Sequence, residues 1–141
     1  MIESLSHITL IVKDIEKSTN LLNIIFDAEE IYDSKGKNFS ISNEKYFMIG
    51  GTWIAIMAGE PLLERSYNHI AFKISESEFD EYLLRVGKLG LEIKQGRDRV
   101  EGEDRSVYFY DYDNHLFELH TGTLRTRLKN YSKILSTKKG K

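Results

Sequence analysis

The amino-acid sequence predicts an α+β fold built from two βαβββ repeats. Two observations carry that prediction: short motifs recur at one fixed shift, and each recurrence opens on strand-like alternation. His7-Ile8-Thr9-Leu10 returns as His69-Ile70-Ala71-Phe72, 62 residues later. The same ungapped shift carries Leu21-Leu22 onto Leu83-Leu84 and Glu30-Ile31 onto Glu92-Ile93, a coincidence that unrelated segments rarely produce. Two modules follow, residues 1–62 and 63–130, with a basic tail over 131–141 expected to be flexible. Each module is too short to bury a core alone. They are expected to share one as a cup-shaped mixed sheet that dimerisation completes.

The elements follow in order. Residues 7–12 alternate, with Ile8, Leu10 and Val12 on one face and His7, Thr9 and Ile11 on the other, the period of a strand. Asp14 stands where a helix cap is needed, and the core face of that helix is Ile15, Leu22, Ile25 and Phe26. Strands over 28–34, 38–42 with 45–49, and 52–57 complete the first module. In the second, residues 69–74 alternate in the same way, and Ser75 with Glu78 resembles a capping box. Phe79, Tyr82, Leu83, Val86 and Leu89 then form a helical stripe ending at Gly90. Strands over 91–95, 105–110 and 115–120 follow.

Composition excludes several functional classes. Twenty basic residues against 22 acidic ones leave a net charge of −2 over 141 residues, which favours neither nucleic acid nor a membrane surface as partner. No apolar run reaches the roughly 18 residues of a membrane span, so a cytoplasmic protein is expected. The absence of cysteine removes disulfides, thiolate zinc sites, iron–sulfur clusters and thiol nucleophiles together. Any metal must therefore be held by nitrogen and oxygen.

The repeat places His7 and His69 at equivalent points of equivalent strands, on the face away from the aliphatic side, where two imidazoles can converge on one ion. Glu118 shares a face with Leu116 and His120 on the last strand, and an unpaired carboxylate there is costly to bury. A strand-end salt bridge is the simpler alternative. The equivalent position in the first module is Ala55, which cannot ligate. His7, His69 and Glu118 would thus make a three-ligand site with open positions, suited to divalent Mn, Fe, Ni or Zn. Around it, Lys94, Arg97, Arg99 and Arg105 precede a Ser-x-Tyr strand holding Ser106 and Tyr108, and Arg125 and Arg127 follow the last strand. Guanidinium forks and hydroxyls suit a dianion. Because Asp98, Glu101, Glu103 and Asp104 interleave with them, a solvated charged loop is the other reading.

Five stretches carry a family resemblance: Leu5-Ser6-His7-Ile8-Thr9-Leu10, Tyr67-Asn68-His69-Ile70-Ala71-Phe72, Arg99-Val100-Glu101-Gly102, Ser106-Val107-Tyr108-Phe109, and the run from Asp111 to Leu124. Together they resemble the vicinal oxygen chelate superfamily (glyoxalase, bleomycin resistance, dioxygenase). Within it they are most similar to fosfomycin-resistance proteins of the FosX type, which are metal-dependent fosfomycin hydrolases. The resemblance implies Mn2+ held by His7, His69 and Glu118 in a homodimer, each site taking His7 from one chain and the other two ligands from its partner. No potassium requirement is expected, because Val100 and a longer loop replace the serine and shorter loop of glutathione-using relatives.

The resemblance also implies that Thr9 contacts substrate, that Ser106, Tyr108 and Arg127 bind its phosphonate, and that Lys94, Arg97 and Arg99 belong to the same pocket. Glu44, within Ser42-Asn43-Glu44-Lys45-Tyr46-Phe47, matches the general base that deprotonates water for attack on the epoxide, giving a vicinal diol. Tyr46, Trp53 and Tyr67 would line the pocket. Without the resemblance, Glu44 beside Lys45 reads as a surface residue and the three aromatics as core. Asn114 stands where the superfamily has glycine; both tolerate left-handed backbone. The alternatives are a thiol transferase of the same fold using glutathione, bacillithiol or cysteine, a non-catalytic drug-binding protein, and an enzyme such as an oxygenase acting on another small substrate.

Overall fold

Alternating apolar residues form strands only where one face can be buried, and the chain satisfies this twice. The computed structural model describes residues 1–37, 39–94 and 104–139. Strand β1 (His7–Val12), helix α1 (Ile15–Phe26), and strands β2 (Glu29–Asp33), β3 (Glu44–Ile49) and β4 (Thr52–Ala58) form the first βαβββ unit. Strand β5 (His69–Lys73), a 3-10 turn (Glu76–Glu78), helix α2 (Phe79–Lys88), and strands β6 (Ile93–Lys94), β7 (Ser106–Tyr110) and β8 (Leu116–His120) form the second, and helix α3 (Leu124–Lys139) follows. Each unit closes a four-stranded mixed sheet, ordered β1-β4-β3-β2 and β5-β8-β7-β6. The expected α+β architecture of paired βαβββ units is therefore present.

The two sheets share a register as well as an order. Thr9 faces Ala55 across the parallel β1–β4 pair, and Ala71 faces Glu118 across β5–β8. Tyr46 opposes Ala55, as Tyr108 opposes Glu118. Glu44 opposes Met57, as Ser106 opposes His120. Strand alternation puts every one of these residues on the face opposite the core.

The other face of each sheet contributes to a single core. Leu10, Val12, Phe47, Ile54 and Ile56 of the first unit and Val107, Phe109, Phe117 and Leu119 of the second belong to one buried cluster with Leu22 and Ile25 of α1 and Val86 of α2. Phe26, at the end of α1, makes the join. Its ring centroid lies 5.1 Å from Phe72, 5.4 Å from Phe117 and 6.0 Å from Phe109, all in the second unit. Arg85 of α2 reinforces the join by donating to the Ile25 carbonyl at 3.2 Å and to Asp27 at 2.8 Å, where cationic charge suits the C-terminal end of α1.

Asp14 caps α1 as expected, accepting from the Lys17 N–H at 3.0 Å. Three local expectations fail. Ser75 makes no side-chain cap bond, because a 3-10 turn intervenes before α2. Residues 39–42, expected as a strand, are bends; the apolar Phe39 and Ile41 are exposed and have no sheet face to cover. Residues 131–139, expected as part of a flexible tail, continue helix α3. Thr123 and Thr126 cap its start reciprocally, each hydroxyl accepting from the other's N–H at 3.1 and 3.0 Å, which offsets the cost of nucleation. Asn114 adopts φ 67°, so the β7–β8 turn keeps its left-handed residue.

Asp113, in that turn, ties the second unit to the first by accepting from the Lys13 N–H at 2.9 Å. Burial, the largest influence, raises its carboxyl above the ordinary range although the Lys13 bond opposes this. The folded chain thus binds this proton more tightly than the unfolded chain. The group favours folding most below its ordinary pKa, and that contribution is lost as pH rises through the raised value. Asp113→Asn, which keeps the acceptor and removes the charge, should match or exceed the parent's stability at neutral pH, the advantage vanishing in acid. Asp113→Ala should cost about 1–3 kcal/mol, the penalty of an unmade hydrogen bond. Urea titrations at neutral and acidic pH, at one protein concentration, check both.

Candidate active site

A histidine serves as a metal ligand when its tautomer is fixed and its free nitrogen faces another donor. His69 meets both conditions. It opens β5, its Nδ1 lies 2.7 Å from the Tyr67 carbonyl, and a ring nitrogen facing a carbonyl must carry the proton. Nε2 is the nitrogen left for a metal, and it stands 3.0 Å from Glu118 Oε1 on β8, a spacing that either a shared proton or a bridging cation satisfies. Two donor atoms each about 2.1 Å from one divalent ion, at roughly a right angle, would be about 3 Å apart. The pair therefore fits a divalent cation.

Glu118 is 4 % exposed, and four neighbours decide its charge. Burial pushes its pKa upward, but the Ser106 hydroxyl, His120, the Tyr108 hydroxyl and His69 together outweigh burial and hold it below the ordinary carboxylate range. The hydrogen-bond polarity is consistent along one line. Arg127 Nη2 approaches His120 Nε2 at 3.4 Å, His120 Nδ1 meets Ser106 Oγ at 2.6 Å, and Ser106 donates to Glu118 Oε2 at 2.6 Å. His120 is read from the sequence as sharing the Glu118 face but is given no role in the site; the structure places it in direct contact with Ser106. Gly122 leaves it room, since a Cβ there would stand 2.8 Å from Nε2.

Tyr67 and Tyr108 frame the His69 ring edge-on at 5.0 and 5.4 Å, and their hydroxyls meet at 3.2 Å. Lys94 Nζ lies 6.0 Å from the Tyr67 ring and lines a cavity of about 330 Å³ with Ser106 and Tyr108. Seven of the expected residues are thus gathered around the second sheet: His69, Lys94, Ser106, Tyr108 and Glu118 on its strands, Tyr67 just before β5 and Arg127 on α3. Arg97 and Arg99 lie outside the described residues. Arg105 does not join the group; it bonds Glu76 and Asp80 and stacks on Phe79 at 3.9 Å, because alternation turns it away from Ser106.

A second constellation lies on the first sheet. His7 stacks on Trp53 at 4.1 Å, and Tyr46 meets Trp53 edge-on at 5.1 Å. Thr9 follows two residues along the His7 face and is exposed. Glu44 is 5 % exposed, not a surface residue, and accepts from the Tyr46 hydroxyl at 2.8 Å. Its neighbour Lys45 points to the opposite face, where Glu30, Glu16 and Asp33 surround it at 2.9, 3.3 and 3.8 Å. Lys45 therefore leaves the Glu44 charge unneutralised. Among the described residues of one chain, no three His, Asp or Glu side chains gather as a metal site, so His7 does not converge with His69 and Glu118 within the chain. A cleft of about 620 Å³ at the start of α1 is lined by none of the residues of either constellation, and its lining of Lys13, Asp14, Glu16, Lys17 and Asp113 mixes both charges.

The profile of the Glyoxalase/Bleomycin resistance protein/Dioxygenase superfamily matches residues 4–119. The chain belongs to this superfamily. It is 65% identical over 133 residues to the fosfomycin resistance protein FosX of Listeria innocua, covering 94% of this chain and all of that one. It is also similar to a crystal structure of a variant FosX from Listeria monocytogenes complexed with Mn(II) and 1S,2S-dihydroxypropylphosphonic acid. That match has a TM-score of 0.85 and 60% identity, covering 93% of this chain and 99% of the other. The metallothiol transferase FosB of Staphylococcus saprophyticus is more distant, 38% identical over 135 residues, covering 93% of this chain and 85% of that one. Among the described residues, no helix is long and apolar enough to cross a membrane.

Proposed function

We propose that the chain is a Mn(II)-dependent epoxide hydrolase that opens fosfomycin with water to the inactive diol and so confers resistance, acting in the cytoplasm as a homodimer. The observation that carries this reading is the His69–Glu118 pair, set 3.0 Å apart with the imidazole tautomer already fixed. The FosX relative's complex with Mn(II) and a dihydroxypropylphosphonic acid supports it, since a diol is what water leaves after opening an epoxide. The greater distance of FosB argues against thiol transfer.

The third ligand is His7 of a second copy. One chain holds two unlike constellations on equivalent sheets, His7 with Thr9, Glu44, Tyr46 and Trp53, and His69 with Glu118, Ser106, Tyr108 and Arg127. A two-fold dimer brings the first of one chain against the second of its partner, twice. The apolar side chains of Ile11, Leu62, Leu63 and Tyr67, all exposed in the single chain, supply surface for such an interface.

In the site so formed, Arg127, Lys94, Ser106 and Tyr108 bind and orient the phosphonate, with Arg97 and Arg99 as further candidates, and Thr9 contacts the substrate beside His7. Trp53 and Tyr67 wall the pocket and exclude bulk water. When bound, the divalent ion supplies Lewis-acid stabilisation of the oxygen released from the epoxide. Glu44 takes a proton from a water as the water oxygen bonds to the phosphonate-bearing carbon. The carbon–oxygen bond of the epoxide breaks, the released oxygen takes a proton from solvent to complete the diol, and Glu44 returns its proton to solvent.

Incubation of the protein with fosfomycin and Mn(II), without thiol, followed by phosphorus NMR, tests the proposal. The diol should accumulate, stop forming after chelation, and return on addition of Mn(II). Strict dependence on an added thiol would overturn hydrolysis in favour of transfer, and stoichiometric binding without turnover would favour a sequestering protein.

A further inference from the structure

We propose that Tyr46 is a positioning residue for hydrolysis: its hydroxyl holds Glu44 by one carboxylate oxygen and leaves the other oxygen to meet the attacking water. This rests on the reading of Glu44 as the base.

The main chain of Glu44 is fixed at the start of β3. Its N–H donates to Ser34 Oγ at 3.1 Å, and its carbonyl accepts from the Ser34 N–H at 3.0 Å. The side chain is a different matter, because glutamate has three rotatable bonds that the backbone does not control. Tyr46, two residues on and therefore on the same face, donates to Oε1 at 2.8 Å. Among the described residues no other side chain hydrogen-bonds this carboxylate. The one buried side-chain nitrogen or oxygen without a partner among those residues is Trp53 Nε1, so Oε2, which has no hydrogen-bond partner among the described residues, is not sealed from solvent.

Tyr46 is itself held. Its ring lies 4.9 Å from Tyr32 and 5.1 Å from Trp53, and Trp53 stacks on His7. A continuous line of contacts thus runs from the base to a candidate metal ligand, so the water-facing oxygen is placed relative to the ion. The Glu44 bond, and after it burial, raises the Tyr46 hydroxyl pKa, so the phenol remains a donor throughout the neutral range. Misplacement of a reacting group by about 1 Å is enough to cost a large part of the rate.

Steady-state hydrolysis without thiol, in Tyr46→Phe, Glu44→Gln and the double variant, tests the proposal. Tyr46→Phe should lower kcat about 10- to 100-fold, the loss of one bond to a charged group, with KM and Mn(II) affinity within about twofold of the parent. In the Glu44→Gln background the same change should alter the residual rate by less than about twofold, since Tyr46 acts through Glu44. Glu44→Asp, which draws the carboxylate away from an intact phenol, should lose kcat in the same way and guards against a folding defect in the first variant. Full kcat in Tyr46→Phe, a change in KM alone, or an equal loss in both backgrounds overturns the positioning role while leaving the base in place. An unchanged rate in Glu44→Gln overturns both.

Discussion

A His7→Ala chain and a His69→Ala chain, each inactive alone, recover about one quarter of the parent activity when refolded together in equal amounts, the yield of a two-fold dimer with shared sites. The arithmetic comes from the two constellations. In a mixed dimer, one site lacks both histidines, while the other draws an intact His7 from the His69→Ala chain and an intact His69 and Glu118 from the His7→Ala chain. Half of the dimers are mixed and each has one good site of two. Each variant alone should lose Mn(II) binding and hydrolysis while keeping its circular dichroism, because both histidines open strands on the face away from the core. Native mass spectrometry of the mixture verifies that mixed dimers formed. Their presence without any recovered hydrolysis would sink the shared site, and activity in either single variant would remove that histidine from the ligand set.

Glu44→Gln lowers thiol-free hydrolysis by about 10²- to 10⁴-fold, the range over which a positioned general base accelerates proton transfer. The amide keeps the volume and the Tyr46 hydrogen bond but cannot take a proton from water. Manganese affinity, followed by electron paramagnetic resonance, should be unchanged, since Glu44 is on the first sheet and bonds Tyr46, not the His69–Glu118 pair. Because Lys45 points to the other face, no nearby cation is exposed by the change. If hydrolysis survives within about twofold, far less than a base contributes, another group activates the water.

Much of the fold was legible because it depends on period and recurrence. Alternation over 7–12 and 69–74 identifies the two strands that begin each unit, and a shift of 63, one more than the 62 between those strands, aligns Ala55 with Glu118, which the sheet registers pair with Thr9 and Ala71 respectively. Where local signals compete, the reading fails. Ser75 and Glu78 have the spacing of a capping box, but a 3-10 turn interposes and the cap bond does not form. Residues 131–139 have a tail's composition, yet they continue a helix that Thr123 and Thr126 nucleate upstream.

The α+β class, the repeat, the cysteine-free ligand chemistry and the side of each opening strand that carries His7 and His69 are legible along the chain, because alternation and recurrence are local. How those side chains meet is a matter of three-dimensional packing. The approach of His69 to Glu118, the Arg127–His120–Ser106 line into that carboxylate, the removal of Arg105 to Glu76 and Asp80, and the hold of Tyr46 on Glu44 all depend on pairing register and rotamer. The two βαβββ units had to share one core through Phe26 before either constellation could exist, because neither sheet can bury its apolar face alone.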